Sequence, residues 1–352
     1  MAQVVYQGAA PDEATAAQAI GRLLGQHQAA RAQPDTADPN HMPMTLIALN
    51  RLGAPAEILG AYAELHCLDH ALLPPPVSPG RVAREDWRTA LGDPAMEQAY
   101  RAFFETELVR LGRDAMLREY LPDLMEGCGG AGFHPMIRLA FGIQQDDDSE
   151  IVLALAYWAT AFLRLGHGQR ERAGRDDPRA VLERLRRQLG PAFGKRDTGL
   201  EFGMPAVRAM PGFQPVVHWL KTDERSLAQM AEATLALFSA AGGSDALHVL
   251  AAPHALRTLL PWFYDPAPAL RYHWQAVAAA YLVIGAPPLP TAEALKEAGE
   301  RQAPPWPALR QAAIASLDDH VIQAVYSCSE EEEAYGDPLY RVAAARFVAD
   351  DG

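Results

Sequence analysis

Val, Ile and Thr together supply 37 of the 352 residues of this chain, too few β-branched side chains to build a sheet-based protein of this length. Ala, Leu, Arg, Glu and Gln dominate instead, and these residues lose least on entering a helix. They recur with helical spacing. Between Thr222 and Ala241 the apolar positions Leu227, Met230, Ala231, Leu235 and Phe238 are separated by intervals that return to one helix face. The chain is expected to be all-α, a single large multi-helix domain (1–352) whose helices pack around a buried pocket. The pattern predicts helices over 12–30, 43–51, 55–70, 93–120, 134–143, 149–165, 178–189, 223–241, 245–261, 269–284, 291–301, 318–328 and 337–349.

Proline punctuates these segments at 74–79, 287–290 and 304–307, where missing amides and a fixed φ stop a helix. The stretch 190–215 holds five Gly and four Pro and is expected to be a long loop or lid. No repeat of fixed period and no shift of composition marks a second domain. With 49% hydrophobic and 21% charged residues the composition is that of a globular protein with a sizeable core.

Forty-four acidic against 31 basic residues give a net charge of −13, and the Arg residues are scattered among more numerous carboxylates. Nucleic acid and anionic lipid surfaces are therefore excluded as expected partners, because both need a clustered basic face. The longest apolar run, Ile151 to Leu163, is shorter than the ~20 residues that span a bilayer and reads as a core helix. Met1 to Leu24 has neither a basic n-region nor an apolar h-region, so a cytoplasmic protein is expected. Cys67, Cys128 and Cys328 are odd in number and widely spaced, which argues against a disulfide framework or a thiolate zinc site.

Two motifs invite a chemical reading and lose it on inspection. Gly127-Cys128-Gly129-Gly130-Ala131-Gly132 matches the dinucleotide fingerprint, but that fingerprint must follow a strand, and Leu111 to Glu126 has no Val, Ile or Thr and includes Pro122. The glycines are expected to form a turn that lets helices approach closely or opens space beside His134. His66 and His70 lie at i, i+4, a spacing able to chelate zinc, but Cys67 stands where a zincin-type peptidase carries its general-base Glu. A hydrolase triad has no GxSxG to rest on.

The remaining histidines share a setting. His41 and His134 stand at helix starts beside Pro43 and Pro135, where the positive end of the helix dipole disfavours imidazolium. His248 lies on a helix that also holds Pro253 and His254, and His320 follows Asp318-Asp319 at another helix start, with Gln323 one turn on. Imidazoles gathered from separate helices of a bundle suit iron, zinc, copper or nickel. Spacing alone leaves open whether these side chains bind a metal or cap and pack their helices.

The segments Asn40-His41-Met42-Pro43-Met44, Gly132-Phe133-His134-Pro135-Met136-Ile137-Arg138-Leu139, Leu247-His248 with His254-Ala255-Leu256-Arg257, and Asp319-His320-Val321-Ile322 with Asp337-Pro338-Leu339-Tyr340 resemble, in that order, the questin oxidase-like family. The resemblance runs from about residue 40 to the C-terminus. It implies an α-helical oxygenase without a Rossmann domain, similar to fungal enzymes that act on anthraquinones and related polyketides by Baeyer–Villiger-type or ring-cleaving chemistry. Members bind non-haem iron through histidines and a modified lysine. Here Gln323 stands at the lysine position and Ala251 where the family carries Thr.

The resulting expectation is an oxidoreductase of the monooxygenase or dioxygenase kind, acting on an aromatic or polyketide-type small molecule. His41, His134, His248 and His320 would be metal ligands, with His254, Gln323, His66 and His70 as outer-sphere or alternative ligands. Iron is the expected metal and zinc the other candidate, while the need for NADPH and the oligomeric state stay open. Phe133, Trp158, Trp219 and Trp274 are candidate pocket walls, each of which serves equally as core. The alternative is a helical small-molecule-binding protein that has lost the metal chemistry.

Overall fold

A computed structural model describes residues 13–27, 40–69, 77–167, 174–193 and 198–350. Among them are seventeen α-helices and no strand; the β contacts are two isolated bridges, Cys128 with Leu163 and Asp176 with Leu220. The chain is thus all-α, as its shortage of β-branched residues requires. Its helices fall into two compact units, 1–75 with 296–352 and 76–295. No helix among the described residues is long and apolar enough to cross a membrane.

The first unit opens with α1 (Glu13–His27), α2 (Met42–Leu52) and α3 (Ala56–Asp69). The second contains α4 (Glu97–Leu111), α5 (Arg113–Leu124), α6 (His134–Gln145), α7 (Asp148–Thr160), α8 (Pro178–Gln188), α9 (Gly190–Phe193), α10 (Gly199–Arg208), α11 (Ser226–Ala241), α12 (Gly243–Leu259) and α13 (Pro266–Val283). After α14 (Ala292–Gly299), the first unit is completed by α15 (Trp306–Ser316), α16 (Asp319–Tyr335) and α17 (Leu339–Asp350).

In the first unit α2 is the centre. Nine of its eleven residues are buried, an apolar surface all round that only a helix enclosed by others can satisfy. It packs on α1, α3, α15 and α16, while α16 and α17 form a hairpin turned by Gly336 at φ 70°. The start of α16 is fastened by Asp318, whose side chain accepts from the amides of His320 (2.8 Å) and Val321 (3.0 Å). Such a cap contributes about 1 kcal/mol and sets where the helix, and therefore His320, begins.

In the second unit α13 holds the core position and packs on α8, α10, α11 and α12, while α6 lies between α7 and α12. Asp147 caps α7 through the amide of Glu150 at 2.9 Å. Across the α6–α7 contact the buried Arg138 guanidinium donates to both oxygens of the wholly buried Glu150 carboxylate, at 2.5 and 3.0 Å. Of the apolar series expected on α11, Met230, Ala231, Leu235 and Phe238 are buried and Leu227 is half-buried.

Three expectations need correction. Residues 190–215 are not one irregular loop: α9 and α10 lie within them. In α10 the buried residues Leu200, Gly203, Met204 and Val207 fall at i, i+3, i+4 and i+7, a helical stripe that the density of Gly and Pro obscures. The run 304–307, read as a break, starts α15, because Pro307 stands in the first turn, where no intrahelical amide is needed. The single helix expected over 93–120 divides at Gly112, whose φ of 77° ends α4 and begins α5.

Candidate metal centre

His134 reaches its position through an unusual turn. Ala131, Gly132 and Phe133 are all left-handed, at φ 46°, 62° and 74°, a conformation that costs a non-glycine residue roughly 1–2 kcal/mol. The turn is wedged in place by the glycines before it. A Cβ on Gly130 would lie 1.8 Å from the Ala161 carbonyl oxygen, and one on Gly129 would lie 2.6 Å from the Met204 methyl and 3.0 Å from the Ala276 Cβ. The fingerprint-like motif is therefore a close-packing device, preceded by a 3-10 turn (Met125–Gly127) after α5 rather than by a strand.

Its consequence for His134 is chemical. The Ala131 carbonyl faces Nδ1 of the ring, and since a carbonyl only accepts, Nδ1 carries the proton and the lone pair lies on Nε2. His134 opens α6 and His248 sits in α12. Because these helices pack side by side, the two rings meet with centroids 4.3 Å apart and planes tilted by 57°. Both are buried, and they present ring nitrogens within 4.8 Å of each other.

The first unit gathers a second set. His41, buried at the N-cap of α2, places Nδ1 3.4 Å from Oδ2 of Asp319, while its ring meets that of half-buried His320 edge to face, centroids 5.4 Å apart. The Tyr62 hydroxyl donates to Oδ1 of the same carboxylate at 2.5 Å. Having spent its proton there, the Tyr62 oxygen accepts from His66 Nδ1 at 3.3 Å. Burial alone would lift the Asp319 carboxyl, but the bonds from His41 and Tyr62 and the nearby His66 outweigh it and hold Asp319 below the usual carboxylate range. Burial, with the Asp319 charge alongside, pushes the Tyr62 hydroxyl well above its ordinary value, so it remains a donor. As for His134, an acceptor at Nδ1 leaves the lone pair of His41 on Nε2.

The other expected residues take different roles. His66 belongs to the Tyr62–Asp319 network, and His70 lies outside the described residues. His254 is wholly buried and its Nε2 accepts from the Gln144 amide at 2.9 Å. Gln323 donates to the Thr45 hydroxyl at 2.9 Å, a buried contact between α16 and α2. Phe133 is wholly buried next to His134 in sequence, and Trp158 is buried in α7. Trp274 donates its indole N–H to the Pro178 carbonyl at 3.2 Å, and Trp219 lies under the Arg184 guanidinium at 3.8 Å, so both help fasten the start of α8.

Sequence reasoning missed Asp319, Tyr62 and His273. Tyr62 and His66 share a face of α3 at i, i+4, but nothing in the chain announces that Asp319, 257 residues from Tyr62, meets them. His273, in α13, is wholly buried with its ring centroid 6.2 Å from that of Phe133, and neither ring nitrogen has a hydrogen-bond partner in the protein. Burial pushes this imidazole down to about 3, so it is neutral in the folded protein.

Comparison with known proteins bears on this arrangement directly. The questin oxidase-like description matches residues 39–328, well over half of the chain and including every histidine discussed above. The chain belongs to the questin oxidase-like family. A search of curated proteins finds no match. The family points to an oxidoreductase, and three buried histidines, His41, His134 and His248, could hold a metal ion. All three cysteines are free, Cys67 exposed and Cys128 and Cys328 buried.

Proposed function

We propose that this chain is a non-haem oxygenase acting on an aromatic or polyketide-type small molecule, with iron held by His41, His134, His248 and His320. The observation that carries the reading is the backbone control of His134. A strained turn is maintained so that one carbonyl fixes Nδ1–H and leaves Nε2 as the donor, beside the ring of His248 in a buried site. A histidine that merely packed would not require three left-handed residues before it. Neutral imidazoles fit iron, and bound iron would supply the one-electron and dioxygen chemistry that side chains lack.

The protein's own residues would bind, orient and exclude water. His134 and His41 each have Nδ1 engaged, by the Ala131 carbonyl and by Asp319, so their rings are fixed in tautomer before any metal arrives. Phe133, buried and next to His134, would offer a flat apolar wall for an aromatic substrate. Gln323 replaces the family's modified lysine with a neutral amide already engaged by Thr45, so the ligand set would carry less negative charge. The free cysteines accord with a cytoplasmic setting.

Elemental analysis decides the matter. Protein purified without an affinity tag and reconstituted anaerobically with ferrous iron should retain near-stoichiometric iron, and His134→Ala or His248→Ala should lose most of it while keeping the helical circular-dichroism signal. Trace iron in the reconstituted parent refutes the oxygenase reading and favours a binding protein without metal chemistry.

A further inference from the structure

The four groups around Asp319 form an ordered relay of donors and acceptors within the first unit. Each carboxylate oxygen has its own donor, Tyr62 on Oδ1 at 2.5 Å and His41 on Oδ2 at 3.4 Å. His66 stands behind both, 3.3 Å from the Tyr62 oxygen and 3.8 Å from Oδ2. Asp319 is not needed to cap α16, since Asp318 accepts from the first free amides of that helix. A buried carboxylate that is spared from capping and turned toward a histidine matches the arrangement in which a carboxylate orients a metal-binding imidazole.

We infer that Asp319 is the positioning residue for His41, selecting the tautomer that exposes Nε2 to a metal ion, and that Tyr62 and His66 hold the carboxylate in register. This rests on the metal-binding reading given above. The carboxylate acts through charge and through having two acceptors. Its amide analogue has one acceptor and one donor, and cannot take protons from both Tyr62 and His41. With asparagine at this position one of those donors faces an N–H, and His41 loses the contact that selects its tautomer.

The test uses the full chain with cobalt(II) as the metal probe, together with nitrogen-15 spectra of the histidine rings in the metal-free protein. The His41 signals are identified by their loss in His41→Ala. In the parent, His41 should be almost entirely the Nδ1–H tautomer. Asp319→Asn should mix the tautomers and weaken cobalt binding about 10- to 100-fold, the usual effect of removing such a partner. Asp318→Asn removes a neighbouring charge yet keeps a competent cap, and should leave both measurements unchanged. If Asp319→Asn does not fold, Tyr62→Phe, which keeps the carboxylate and the ring, should move both readouts in the same direction by less.

A parent that binds no cobalt overturns the metal reading and this inference with it. A parent that binds cobalt while Asp319→Asn binds equally, or keeps the His41 tautomer, overturns the inference alone.

Discussion

His273→Leu isolates one buried imidazole whose protonation state should govern how this protein responds to acid. In the folded chain His273 is 0% exposed and is pushed down to about 3 by burial, with no carboxylate to offset the loss of water. In the unfolded chain it returns to about 6.5. Between those values the unfolded state binds one more proton than the folded state. Stability from this residue is therefore fully present above about pH 6.5 and drains away as the pH falls toward 3. From pH 7 to pH 5 the loss is roughly 1.4 pH units of differential protonation, or about 2 kcal/mol.

Urea denaturation followed by far-UV circular dichroism, on the parent and His273→Leu at both pH values, measures it. Every other titrating group is common to the two proteins, so the difference between their losses reports His273. The parent should lose about 2 kcal/mol more than the variant. At pH 7 the variant should be at least as stable as the parent, because two buried polar atoms without partners are gone, a gain of about 1–3 kcal/mol set against imperfect packing. Equal losses in the two proteins between pH 7 and pH 5 would show that His273 is solvated or paired, and would refute the reasoning.

Gly130→Ala should lower stability by about 2–4 kcal/mol, read as a fall in thermal midpoint, because its Cβ meets the Ala161 backbone at 1.8 Å and backbone cannot move aside cheaply. An unchanged midpoint would mean that the turn before His134 is not wedged as described. Arg138→Met should cost about 3–5 kcal/mol near neutral pH, since it strands the Glu150 carboxylate in the α6–α7 contact. A loss under about 1 kcal/mol in a denaturant titration would mean that Glu150 is reached by water or protonated without penalty.

Much of the architecture was readable from the chain, since helix formation is decided by spacing and local chemistry. α2, α6, α7 and α11 lie close to their expected spans, and His41, His134 and His320 stand at helix starts, where adjacent prolines and aspartates put them. The errors came where two local signals compete. In α10 a clean i, i+3, i+4, i+7 stripe sits among glycines and a proline, and in α15 a proline that looks like a stop serves as a start. The glycine-rich motif was separable from a dinucleotide site because the absence of a preceding strand is itself visible in residue types.

Which histidines could share chemistry was visible as well, from their residue types, their caps and the family pattern that runs through them. What sequence could not supply is the second partner of each ring. That the Ala131 carbonyl commits His134 to one tautomer depends on three successive left-handed residues, only one of them glycine. That Asp319 rather than Asp318 meets His41 depends on the rotation of α16, and His254 turns to Gln144 through the packing of α12 on α6. The burial that neutralises His273 follows from the helices laid around α13. Backbone periodicity is a property of neighbours a few residues apart, whereas a ring nitrogen's protonation is set by whichever atom lies about 3 Å away, and in a bundle that atom is chosen by helix packing.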